Sequence, residues 1–296
     1  MQDLIIIGGG PAGYTAGIYS ARYLLDTIVL AEKKRGTLMD SPLVENYPGY
    51  KSLTGYELGG KLEEHLAEYS IPVKEEKAVE AKKIDRGFSI KTKKREYQAK
   101  ALILATGWKR RKLKAENAEK FDHKGISYCA TCDAALYGGK TVAVIGGGDA
   151  GIGAAILLSG YANKVYVIEM LDKLAAEPIK LEKIKENDKI EVMTGVTVTK
   201  VRGESMVKGI ELDNGRELAL EGIFVEIGGT PNVKLAGELG VKLDEKKSVI
   251  IDSNACTNIE GVYAAGDVTN VPLKQAVVAA GQGAIAAWSA YRYLKE

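Results

Sequence analysis

The chain has 296 residues, with 41 Lys and Arg against 39 Asp and Glu, for a formal net charge of +2. That length allows one large domain or two moderate ones, each able to bury a core. The near-neutral charge without a dominant basic stretch speaks against a nucleic-acid partner. No run of eighteen apolar residues and no basic leader with a cleavage site is present, so the expectation is a cytoplasmic protein with no membrane partner.

The first element is "LIIIGGGPAGYTAGIYSARY" (4–23): an apolar β run, Gly-x-Gly-x-x-Gly, and a small-residue helical pattern. Gly8 permits a tight turn, Gly10 lets a pyrophosphate approach the backbone, and Gly13 lets helix and strand pack closely. "TIVLAE" follows and ends in Glu32, about twenty residues past the loop, where a dinucleotide fold places its ribose-binding acid. "LTGYELGGKLEEHLAEY" (53–69) has an amphipathic helical pattern, suited to a core face or a dimer contact. "KKIDRGFSIKTKKREYQAK" (82–100) is locally basic and alternating, and predicts a solvated hairpin. "KALILATGWKRR" (100–111) is an apolar strand ending in a Gly-containing turn.

Next comes "SYCATCD" (127–133), a Cys-x-x-Cys pair. The third cysteine, Cys256, stands alone and reads as a small buried residue. Three cysteines in a cytosolic chain do not make a disulfide scaffold. A zinc site would need a second pair or histidines at finger spacing, and only His65 and His123 exist.

The first pattern then recurs as "VAVIGGGDAGIGAAILLSGY" (142–161), with Gly146, Gly148 and Gly151 in the loop roles and "KVYVIE" ending at Glu169. One such loop is a weak signal, but two with strand, helix and spaced acid are strong. "EGIFVEIGGTPN" (221–232) is a second strand ending in a glycine turn, and 261–294 reads as strand, turn and long helix. The simplest architecture is α/β, two nested Rossmann-like three-layer domains: 1–110 with 230–296, and an inserted 111–229 that carries the cysteine pair.

These motifs, in this order, resemble the low-molecular-weight thioredoxin reductases across essentially the whole chain: "GGGPAGYTAGIYSAR", "VENYPG" (44–49), "ATG" (105–107), "CATCD", "GGGDAG", "GVYAAGDV" (261–268) and "KQA" (274–276). The resemblance implies FAD on Gly8, Gly10, Ala12 and Gly13, with Glu32 on the adenosine ribose and Thr106 and Gly107 in the cofactor site. It implies that Asn46 faces the flavin, that Asp267 binds the ribityl chain, and that Gln275 and Ala276 aim N–H groups at the flavin edge. Lys274 stands where Arg is usual, keeping the charge without the planar fork.

Beside FAD, the Cys-x-x-Cys reads as a two-electron dithiol–disulfide pair. By the same resemblance Cys132 faces the flavin and Cys129 attacks the disulfide of a thioredoxin-like protein; Asp133, which adjoins the pair where no His is near in sequence, is the expected general acid and base. The family also implies a homodimer and rotation of the inner domain, with "GWKRR" and "GGTPN" as hinges. The donor site departs from the family. "IEMLDKLAAEP" places Glu169, Met170 and Leu171 where His-Arg-Arg is usual, and Ala175 where a further Arg is usual. An acid there suits the free 2′-hydroxyl of NADH and repels the 2′-phosphate of NADPH. The same loop also fits a donor that is not a nicotinamide, such as a reduced deazaflavin. A small-molecule dithiol oxidase on this scaffold is the rival activity, disfavoured by the intact second loop.

Overall fold

The structure is a computed structural model that describes residues 1–295. The chain divides into two units: 1–39 with 44–109 and 230–296, and 110–229 together with the short stretch 40–43.

The first unit begins with β1 (Gln2–Ile7), whose Leu4, Ile5 and Ile6 are fully buried, as a parallel strand covered on both faces requires. Helix α1 (Pro11–Arg22) follows, with Pro11 in the first turn, where its missing N–H costs nothing. Strand β2 (Thr27–Leu30) and helix α2 (Gly55–Ala67) come next. The start of α2 is fixed by a capping box: Glu57 N–H donates to Thr54 Oγ1, and Thr54 N–H donates to the Glu57 carboxylate at 2.8 Å. Strands β3 (Val73–Lys74), β4 (Ala78–Ile84), β5 (Gly87–Thr92) and β6 (Glu96–Leu104) complete the first pass. β4 and β5 form the antiparallel hairpin read from the alternation, but it is not solvated throughout. Phe88, Ser89 and Ile90 of β5 are buried, while Lys82, Lys83 and Lys91 are exposed.

The chain leaves this unit through β7 (Trp108–Arg110). The second unit runs β8 (Ile126–Ser127), α3 (Ala130–Asp133), β9 (Thr141–Ile145), α4 (Asp149–Ser159), β10 (Lys164–Glu169), α5 (Pro178–Lys185) and β11 (Ile190–Thr194). An antiparallel meander of β12 (Val198–Gly203), β13 (Val207–Leu212) and β14 (Glu217–Ala219) precedes β15 (Gly222–Val225). Its main sheet has the order β11-β10-β9-β15-β8, parallel throughout. This is a doubly wound sheet with β9 and its glycine loop central.

The chain returns through β16 (Gly229–Pro231), which pairs with β7. Helix α6 (Lys234–Glu238), β17 (Val262–Ala264) and α7 (Ala276–Lys295) then complete the first unit. Its sheet has the order β3-β2-β1-β6-β5-β4, and β17 adds to β6 in parallel. Helices α1 and α7 pack on one face at short range, because Gly283 lies where an added Cβ would stand 2.2 Å from the Ala12 carbonyl oxygen. No helix among the described residues is long and apolar enough to cross a membrane.

Candidate active site

Each unit builds a glycine loop between strand and helix by the same local device. In the first unit, Gly8 has φ +131° and sits against β6: an added Cβ would lie 2.0 Å from the Ala105 carbonyl oxygen. At Gly13 an added Cβ would lie 1.9 Å from the Gly8 carbonyl oxygen, so loop and helix touch backbone to backbone. Gly10 is the opposite case, with nothing within 4 Å of an added Cβ. It caps α1 without a side-chain cap, and no acidic residue lies in the first turn. The free N–H groups and the positive helix end therefore open onto space that only glycine leaves clear, which fits a pyrophosphate.

The remaining expected FAD residues lie in the same unit. Asn46 and Gln275 are 229 positions apart, yet the Asn46 amide donates to Gln275 Oε1 at 3.3 Å. Glu32 is exposed and pairs with Lys77 at 2.6 Å, a surface pair weak enough to exchange for ribose hydroxyls. Thr106 Oγ1 donates to the Asn232 carbonyl at 2.8 Å, and Gly107 beside it takes φ +61° with open space at its Cβ position. Asp267 lies in a short turn after β17, and burial pushes its carboxyl above the usual range, with Lys274 opposing. Burial lowers the Lys274 ammonium in turn, and that group donates to the Asp267 and Thr269 carbonyls. Ala276 opens α7. Two supports escaped the sequence reading. Gln282 accepts from Gly266 N–H at 2.8 Å, and Trp108 Nε1 donates to the Asp267 carbonyl at 2.5 Å, so both fix the turn that presents Asp267. Gln282 belongs to no motif, and Trp108 only to the "GWKRR" hinge.

In the second unit, Gly146 has φ +120° and an added Cβ there would lie 2.3 Å from the Glu226 carbonyl oxygen. Gly151 packs against Gly146 as Gly13 does against Gly8, and Gly148 again has open space. The first turn of α4 differs, because it carries Asp149, which accepts from Glu177 N–H at 2.7 Å and pairs with Lys180 at 3.3 Å. Glu169 folds back on the loop, accepting from Gly147 N–H at 2.5 Å and Leu171 N–H at 2.9 Å. Leu174 covers Gly147, and Ala175 N–H donates to the Gly147 carbonyl at 2.9 Å. Met170 and Leu171, the positions at which the resemblance expects arginines, are 67% and 57% exposed.

Cys129 and Cys132 are joined as a disulfide, with Cα atoms 5.3 Å apart. Cys129 caps α3, its Sγ accepting from Cys132 N–H at 3.2 Å. Cys132 is exposed and Cys129 half-buried. Asp133 follows in the same turn, and its carboxylate accepts from Ser127 Oγ at 2.6 Å. Ser127 in turn accepts from Cys129 N–H at 3.1 Å, so one hydroxyl ties the acid to the start of the disulfide turn. The expectation for Cys256 needs correction: it is half-buried rather than buried. It lies on a turn organised by Asp252, whose carboxylate accepts its N–H at 2.9 Å, and such a turn leaves the sulfur partly open. Burial raises that thiol, with the Asp252 charge adding to the effect.

Residues 2–283 match the model of the pyridine nucleotide-disulphide oxidoreductases. The thioredoxin reductase of T. acidophilum superposes with a TM-score of 0.94 at 36% identity, covering 98% of each chain. The "34.2 kDa protein in rubredoxin operon" of Clostridium pasteurianum is 36% identical, over 99% of this chain and 97% of its own length. A component of the alkyl hydroperoxide reductase of Staphylococcus aureus is also 36% identical, but the chain spans only 59% of it. Several of the curated relatives are thus much longer than this chain. The chain belongs to the pyridine nucleotide-disulphide oxidoreductase family, with the fold of the low-molecular-weight thioredoxin reductases. The family takes its name from oxidoreductases that couple a pyridine nucleotide to a disulfide.

Proposed function

We propose that the chain reduces the disulfide of a thioredoxin-like protein, with FAD as carrier and Cys129–Cys132 as the exchanging pair. The observation that carries this is the closed Cys129–Cys132 disulfide in the unit that also holds the second glycine loop. The open cradle at Gly10 supports the flavin assignment.

Gly8, Gly10, Ala12 and Gly13 would hold the FAD pyrophosphate, Glu32 its ribose, and Asp267 its ribityl hydroxyls. Asn46, Thr106, Gly107, Lys274, Gln275 and Ala276 would surround the flavin. FAD, when bound, supplies a reservoir for two electrons that a nicotinamide can fill and a disulfide can drain.

The protein's own steps are thiol chemistry. Reduction breaks the Cys129–Cys132 bond and leaves two sulfurs that share two electrons and take up protons. Cys129 Sγ, as thiolate, attacks one sulfur of the substrate disulfide and releases the other as a thiol. Cys132 Sγ then attacks Cys129 Sγ, re-forming the internal disulfide and freeing the second substrate thiol. Asp133, fixed by Ser127, would hold or return the proton at these sulfurs. The chain crosses between its units only at 109–110 and 229–230, apart from the short stretch 40–43. Rotation about those crossings would let nicotinamide and disulfide use the flavin in turn. A homodimer is part of the same proposal.

For the donor, Glu169 supports NADH over NADPH. Gly146, Gly148 and Gly151 would take the pyrophosphate and Glu169 the free 2′-hydroxyl. The exposed Met170 and Leu171 also favour a second reading, a donor that is not a nicotinamide. Anaerobic titration with NADH, then NADPH, separates these. Flavin bleaching by NADH alone supports the first reading, bleaching by neither supports the second, and bleaching by NADPH at equal concentration overturns both.

A further inference from the structure

Asp133 adjoins the cysteine pair in the chain. A second carboxylate reaches the disulfide from far away in sequence. Asp40 ends the short turn Gly36–Asp40 and is buried. One of its carboxylate oxygens, Cys129 Sγ and Cys132 Sγ all lie within 4.8 Å of one another. Its stretch, 40–43, belongs with the second unit although the chain on both sides belongs with the first. The Asp40 carbonyl accepts from Thr131 Oγ1, between the two cysteines, at 3.0 Å. Arg110 holds the Asp40 carboxylate at 3.4 Å and the Glu226 carboxylate at 3.1 Å.

We propose that Asp40 sets the proton affinity of the reduced Cys129–Cys132 pair, keeping it as a dithiol until it meets its substrate. A carboxylate so close to both sulfurs opposes a thiolate on either one by like-charge repulsion. The other charged groups around the pair cannot replace it. Asp133 is engaged by Ser127, and Glu226 stands behind Arg110. On α4, which packs against α3, Asp149 is engaged by Lys180. Tyr137, which follows on the same segment, has its phenol pushed up by burial and stays neutral. Arg110 spends its charge on two acids, so it offsets the Asp40 field only in part. The consequence is chemical economy: protons taken up on reduction stay on sulfur, and no thiolate is left on the half-buried Cys129 or the exposed Cys132 for adventitious oxidants to attack.

The inference rests on Cys129–Cys132 being the working pair, but its test needs no turnover and no assigned donor. The holoenzyme is reduced with dithionite, and iodoacetamide labelling of Cys129 and Cys132 is followed across pH by mass. In the wild type the labelling midpoint is expected above the ordinary cysteine value of about 8.5. Asp40→Asn should lower that midpoint by about one unit, raising the rate near neutrality about tenfold. Asp40→Glu, which keeps the charge, should stay near the wild type. An unchanged midpoint in Asp40→Asn, with only thermal stability lost, would show a mere anchor for the loop and overturn the proposal. Should Asp40→Asn fail to fold, a wild-type midpoint at or below the ordinary cysteine value overturns it equally.

Discussion

Arg110→Met is the most informative single change to the framework of the second unit. Arg110 is 30% exposed and lies between two carboxylates that are 9% and 10% exposed, at 3.4 and 3.1 Å. At an effective dielectric near 20 the two contacts are each worth about 5 kcal/mol of Coulomb attraction before desolvation. Desolvation consumes much of this, and removing one partner of a buried pair typically costs about 3–5 kcal/mol, because the remaining charge is stranded. Here two charges are stranded together. Burial already raises the Glu226 carboxyl above its usual range, with Arg110 opposing and Asp40 adding to the rise. The native state therefore holds the Glu226 proton more tightly than the unfolded chain does. That contribution to stability is full below the ordinary glutamate value and is lost as pH rises through the native value. Arg110→Met removes the opposing charge and so extends the loss upward. The expected result is a fall of about 3 kcal/mol near pH 8, seen as roughly 6–12 °C in Tm. A distinctly smaller fall is expected near pH 5. Adding Glu226→Gln should recover part of the loss at pH 8. Equal loss at both pH values, or a loss under about 1 kcal/mol as for a surface pair, would refute the reasoning.

The glycine loops give sharper contrasts. Gly10→Ala meets nothing within 4 Å, so the apo chain should keep its Tm, yet FAD affinity should fall at least about tenfold because the methyl group enters the cradle; unchanged FAD affinity by fluorescence titration would contradict the cradle. Gly13→Ala places a Cβ 1.9 Å from the Gly8 oxygen, and should cost about 1–3 kcal/mol or more and lose FAD as well. Gly151→Ala repeats this clash in the second unit, at 1.8 Å from the Gly146 oxygen, and should spare bound FAD while weakening any nicotinamide binding. Glu169→Ala frees Gly147 and Leu171 N–H and removes the negative charge, so KM for NADH should rise about tenfold and the preference over NADPH should shrink. An unaltered ratio of the two donors would remove Glu169 as the selector.

How much of this was legible in the sequence follows from the range of the interactions. Both cradles were, because a tight turn, an open Gly10 or Gly148 and a close helix are each set within a few residues. The disulfide turn was too, since its cap and closure lie within Cys129–Asp133. The hairpin at β4 and β5 was found, but its buried part was masked by the lysines that flank Phe88 and Ile90. What the sequence hid lies in pairs made by topology. Asp40 reaches Cys129 and Thr131 across about ninety positions, and Arg110 joins Glu226 only because both flank the second unit's ends. Gln282 and Trp108 brace the Asp267 turn in the same long-range way. No local pattern announces a side chain whose partner is fixed by the fold.

The proposed function depends above all on the electron capacity of the cysteine pair. Anaerobic dithionite titration of the FAD-loaded chain, followed by flavin absorbance and thiol counting, would measure it. The wild type should take up two electrons more than Cys132→Ser, with two new thiols that a thioredoxin-like disulfide then reoxidises. Equal uptake by the two proteins, with Cys129–Cys132 still closed when the flavin is fully reduced, would contradict the proposed function.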